Sequence, residues 1–68
     1  MEQAQQDYRD ALEYTAQTQE VLATQLAMLA EELARQGQHQ IAELLQGASR
    51  RHRALSLRSR VIAASLEE

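Results

Sequence analysis

Sixty-eight residues make at most one small domain, and a chain this short needs cross-links, a metal or a partner to be comfortably stable. With no cysteine, disulfides, thiolate metal sites and cysteine nucleophiles are excluded; with two tyrosines as the only aromatics, the core must be aliphatic. The formal charge of −3 argues against a general affinity for polyanions.

The charge is unevenly placed. Residues 1–37 hold seven acids and two arginines, whereas residues 38–68 hold five arginines and three acids. Two halves of opposite sign attract each other as helices of one hairpin or of neighbouring hairpins, which sets partner choice more than stability. The absence of proline and the abundance of Ala, Leu, Gln, Glu and Arg predict long helices.

The first helix is predicted over about residues 3–35. Its large apolar residues follow a seam at 8, 12, 15, 19, 22, 26, 29 and 33, alternating steps of four and three in the manner of a heptad a/d pattern. Arg35, Gln36 and Gly37 then read as a basic last turn followed by a left-handed C′ glycine, so a turn is predicted over about 36–39. A second helix follows over about 40–66, with no Ser, Thr, Asp or Asn at its start to cap it. Gly47 followed by Ser49 could break this helix into two. The second seam, at 41, 45, 48, 52, 55, 59, 62 and 66, passes Gly47 without a skip, which favours a continuous helix.

The two seams mirror each other, because paired positions sum to 74, twice 37. Folding about Gly37 therefore predicts the layers Leu33/Ile41, Leu29/Leu45, Leu26/Ala48, Leu22/His52, Gln19/Leu55, Thr15/Ser59, Leu12/Ile62 and Tyr8/Leu66. Only Thr15, Gln19, His52 and Ser59 are polar, and a polar layer of this kind fixes register. The expected fold is all-α: one domain, 1–68, forming an antiparallel two-helix hairpin, coiled-coil-like, that assembles into a four-helix bundle.

Assembly is expected because apolar residues remain beyond the seams. Ala16, Ala23 and Ala30 recur every seventh residue on one flank of the first helix, as Ala42, Ser49, Ser56 and Ala63 do beside the second seam. Val21 and Met28 lie on the other flank of the first helix, while Leu57 and Val61 point away from the second seam. Ala16, Val21, Ala23, Met28, Ala30, Leu57 and Val61 are thus the candidate partner interface, with a homodimer as the simplest closed solution and a helical protein partner as the other.

Chemistry-bearing groups are few. Arg50, Arg51, Arg53, Arg58 and Arg60 form a basic band that could contact phosphates or an acidic partner, and the facing stretch of the first helix offers only Glu20. Helical phasing spreads the band over several sides and no aromatics interleave with it, so solvated or interface-pairing arginines are preferred over a nucleic-acid site. His52 on the seam and His39 near the turn are too far apart to share a zinc ion. No carboxylate sits on an apolar face, and neither a phosphate loop nor a nucleophile motif is present, so neither catalytic residues nor a cofactor are expected.

The N-terminus is acidic and rich in glutamine where a signal peptide would be basic and then apolar, and the longest apolar run covers only residues 26–30. A cytoplasmic protein without membrane contact is the expectation. In functional terms the sequence points to a small non-enzymatic protein acting through helix-mediated self-association or partner binding: an adaptor, co-chaperone or regulatory subunit. A nucleic-acid-binding dimer using the Arg50–Arg60 band is the alternative.

Overall fold

The computed structural model describes residues 2–66; Met1 and two of the counted acids, Glu67 and Glu68, lie outside the described residues. Helix α1 spans Glu2–Arg35 and helix α2 spans His39–Ser65, folded back on each other as the expected all-α antiparallel hairpin. Both run within a residue or so of the limits read from the sequence.

The turn is built by the backbone. Gly37 adopts φ +84°, a conformation that side chains with a Cβ rarely take. Its N–H donates to the Ala34 carbonyl at 3.0 Å, and the Gln38 N–H donates to the Leu33 carbonyl at 2.8 Å. This pair of bonds is a Schellman motif, which satisfies two carbonyls that the end of α1 would leave orphaned. Gln38 is the N-cap of α2: its carbonyl accepts from the Ala42 N–H at 3.0 Å, and its side chain makes no capping bond. The weak cap is tolerable because the three-residue turn already holds the chain in place. Helix α2 runs through Gly47 unbroken.

What lies between the helices differs from expectation. The buried side chains are Ala16, Ala23 and Ala30 on α1 and Ala42, Ser49, Ser56 and Ala63 on α2, none more than 6% exposed. Each set repeats every seventh residue, so the small-residue stripes form the interior of the hairpin, not an outer flank. The Cα envelope measures 54 × 13 × 11 Å. Since helix Cα atoms lie about 2.3 Å from their axis, a 13 Å width keeps the axes no more than about 8 Å apart, the close end of helix packing. Leucine-lined seams would hold the axes further apart. Alanine and serine let the backbones approach, and a three-residue turn spans the narrower gap.

The register shifts accordingly. Three of the hydrogen bonds crossing the hairpin join Gln5 Nε2 to the Leu66 carbonyl at 2.8 Å, Gln19 Oε1 to His52 Nδ1, and Ser49 Oγ to the Ala23 carbonyl at 2.7 Å. These partners sum to 71 or 72, where the sequence mirror gave 74, so the axis of the mirror lies near Gln36. Gln19 faces His52, not Leu55, and Leu26 comes level with Leu45. Gln19 and His52 therefore satisfy each other within one hairpin, and among the described residues no buried side-chain nitrogen or oxygen lacks a partner.

Candidate partner-binding face

The buried small-residue stripes, 16, 23 and 30 on α1 (continued by the half-buried Arg9) and 42, 49, 56 and 63 on α2, are the inner seam of the hairpin, and positions around that seam sort the remaining side chains into sides. Residues one before and three after each seam position point to the same side of both helices, because the helices are antiparallel. On α1 these are Tyr8, Leu12, Thr15, Gln19, Leu22, Leu26, Leu29 and Leu33; on α2 they are Ile41, Leu45, Ala48, His52, Leu55, Ser59, Ile62 and Leu66. These are the sixteen residues of the two predicted seams. They form one outer face of the hairpin, and the small residues that were expected to meet a partner are what it rests on.

The face holds no Asp, Glu, Lys or Arg. Its members three after the seam, such as Leu12, Leu26, Leu33 and Leu45, are half-buried against the small-residue stripe. Those one before it stand out: Tyr8, Leu22, Leu29, Ile41, Leu55 and Ile62 are 38–55% exposed. Together these six leave about the equivalent of three large side chains in water, on the order of 500 Å² in two rows that flank the half-buried leucines, near the top of what monomers expose.

The opposite side is polar. Residues one after and three before the seam include Glu13, Glu20, Glu31, Glu43, Arg50, Arg53 and Arg60. Its organising group is Glu20, whose Oε1 accepts from Ser56 Oγ at 2.9 Å and from Arg60 Nε at 3.0 Å, while Oε2 accepts from Arg60 Nη2 at 2.9 Å. The two-pronged Arg60 contact, then the Ser56 hydroxyl, hold the Glu20 carboxyl below its ordinary range, and the field of Arg53 acts in the same direction. The same contact raises Arg60. Near the turn, Glu32 accepts from Arg35 at 2.5 Å and is lowered likewise.

The candidate interface residues named from the sequence are not brought together. Ala16, Ala23 and Ala30 are interior. Val21 and Met28 lie two before the seam on the outer edge of α1, in line with Tyr14, while Leu57 lies on the polar side and Val61 on the outer edge of α2; all are exposed. The arginine band is divided as well. Arg60 is engaged by Glu20, and Arg50 and Arg53 share its polar side. Arg51 and Arg58, two beyond the seam, stand at the border of the apolar face. Of the five, only Arg60 pairs with an acid among the described residues.

Among the described residues no three metal-ligating side chains converge, and no helix is long and apolar enough to cross a membrane. The stripe of large residues was visible in the sequence. What marks it as outward-facing is the second, all-small stripe beside it, since two helices alone close over the smaller residues. Comparison of the chain with models of known families, with curated proteins and with solved structures found no match.

Proposed function

We propose that this chain is a self-association module whose apolar face is covered by a second copy, giving a two-fold four-helix bundle. The observation that carries the reading is the sixteen-residue face without a formal charge, set against a far side with eight charged residues: Asp10, Glu13, Glu20, Glu31, Glu43, Arg50, Arg53 and Arg60. A second copy fits because both helices of the face keep the alternating three–four spacing that the core of a four-helix bundle takes from each hairpin. Area supports it too. Two copies bring about 1,000 Å² from the six exposed large residues alone, and the half-buried leucines and the rim add to this, reaching the range of specific interfaces. The bundle leaves the polar side free, and any adaptor, co-chaperone or regulatory role would act through that surface.

The test compares two sides of the same helices. Leu22→Glu and Ile62→Glu place charges on the face and should abolish the dimer, with helicity falling as well if folding and association are coupled. Met28→Glu and Val61→Glu place the same charges on outer edges and should leave the dimer intact. Equal behaviour of the two pairs would overturn the proposal.

Nucleic-acid binding by the arginines is the second reading, favoured by one observation: Arg50, Arg51, Arg53 and Arg58 have no acid partner among the described residues. Their division between the polar side and the outer edge of α2 weighs against it. A gel shift at submicromolar protein that weakens steeply with salt, and is lost in Arg50→Glu/Arg53→Glu with the oligomer intact, would put this reading first.

A further inference from the structure

Two closed two-fold arrangements can cover the apolar face. In one, the two-fold axis runs along the hairpin, the two turns lie at the same end, and α1 of each copy packs beside α2 of the other. In the second, the axis runs across the face, the turn of one copy lies at the open end of the other, and like helices pair, α1 with α1 and α2 with α2. Every neighbouring pair of helices is antiparallel in both, so helix dipoles do not choose between them.

The rim of the face does choose. Positions two beyond the seam border the face on its outer side, as Glu20, Arg53 and Arg60 border the inner seam. On α1 the rim is Ala4, Ala11, Thr18, Gln25 and Glu32; on α2 it is Leu44, Arg51, Arg58 and Ser65. One rim is small and almost uncharged; the other carries two arginines that no acid among the described residues neutralises. If α2 lay against α2, with the axis passing near the mid-length Gln19–His52 pair, the two Arg51 side chains would meet each other, with an Arg58 on either side of them. Four guanidinium groups would then line one edge without a counter-charge. With α2 against α1, each Arg51 comes level with Thr18 of the other copy and each Arg58 with Ala11. Like charges at such flanking positions decide between competing pairings even where they add little stability. The polar layers agree. With turns together, the Gln19–His52, Thr15 and Ser59 layers each meet their own copy; with turns apart, Ser59 meets the Leu26/Leu45 layer.

We propose, resting on the self-association reading, that the two copies pack turn beside turn, with α1 of each against α2 of the other. Thr18 supplies a test whose sign depends on the arrangement. Its side chain is exposed, and its hydroxyl bonds only its own helix, donating to the Tyr14 carbonyl at 3.0 Å. Thr18→Glu would place a carboxylate beside Arg51 of the other copy, twice per dimer. At low salt the dimer should tighten about 2- to 10-fold, and the gain should shrink as salt is added. In the turns-apart arrangement the two new carboxylates would meet each other, and the dimer would weaken.

A distance measurement closes the test. The chain has no cysteine, so Gln38→Cys accepts a single spin label at the turn. Turn beside turn, the two labels should lie within about 25 Å, since neighbouring axes are about 10 Å apart. An intact dimer with labels separated by nearly the 54 Å length of the hairpin would overturn the orientation alone. A monomeric mass with no distance between labels would overturn the self-association reading beneath it.

Discussion

Leucine in place of Ala23 adds three carbons on the line where the helices come closest, at a residue with no exposed surface. With the axes no more than about 8 Å apart, the new side chain has no void to enter, and overpacking of this kind typically costs about 1–3 kcal/mol. Relief requires the helices to part towards about 10 Å. Parting them stretches the 2.7 Å bond from Ser49 Oγ to the Ala23 carbonyl, and a buried hydroxyl left without its partner costs a further 1–3 kcal/mol or about that. The total, about 2–6 kcal/mol, is comparable with the whole stability that a core of this size supplies. Urea unfolding followed by circular dichroism should therefore show Ala23→Leu largely unfolded or shifted to a much lower midpoint. Ala54→Leu, on an exposed outer edge, should stay within about 0.5 kcal/mol of the parent. If the two variants unfold alike, the small-residue stripe is not the interior and the reasoning fails.

The glycines should respond in opposite directions. Gly47→Ala should stabilise by about 0.5–1 kcal/mol, because an added Cβ meets only the ends of Arg51 and Arg50 at 3.6 and 3.9 Å, whereas Gly37→Ala should destabilise by about 1 kcal/mol at φ +84°; thermal melts of both distinguish these signs. Glu20 predicts a pH dependence. Its folded pKa lies below the ordinary 4.5, so its contribution is fully present above that value and is lost as pH falls through the lowered one. Glu20→Gln should flatten the acid limb of stability against pH without erasing it, since Glu32 is lowered too; an unchanged limb would contradict the Arg60 contact. Replacing Gln19 and His52 together by leucine removes a polar pair from the middle of an apolar face. Stability should rise while sedimentation shows a mixture of oligomers, because a polar layer restricts register and number at some loss of stability.

The contrast between what was legible in the sequence and what was not is physical. Helix limits, the turn at Gly37 and the continuity of α2 through Gly47 rest on local signals, namely capping chemistry, the lack of proline and an unbroken heptad step, and these act within a few residues. Glu20 was legible as the one acid opposite the arginine band, and it is the residue that Arg60 grips. Rotation of each helix about its own axis was not. Two heptad stripes lie side by side on each helix, and periodicity alone does not say which faces inward. Leu22 and Leu29 look like core, Ala23 and Ala30 like flank, until the closeness of two unaided helices is considered. The register error followed from the same choice: pairing large residues gave a mirror at Gly37, while the Gln19–His52 and Ser49–Ala23 bonds place it near Gln36.

Sedimentation equilibrium of the unmodified chain from nanomolar to tens of micromolar concentration tests the central claim, that the outward leucine face is covered by a second copy. A species of about 15 kDa, twice the 7.7 kDa chain, is expected at micromolar concentration, with a thermal midpoint that rises with concentration. A 7.7 kDa species across the whole range, fully helical and with a midpoint independent of concentration, would contradict it.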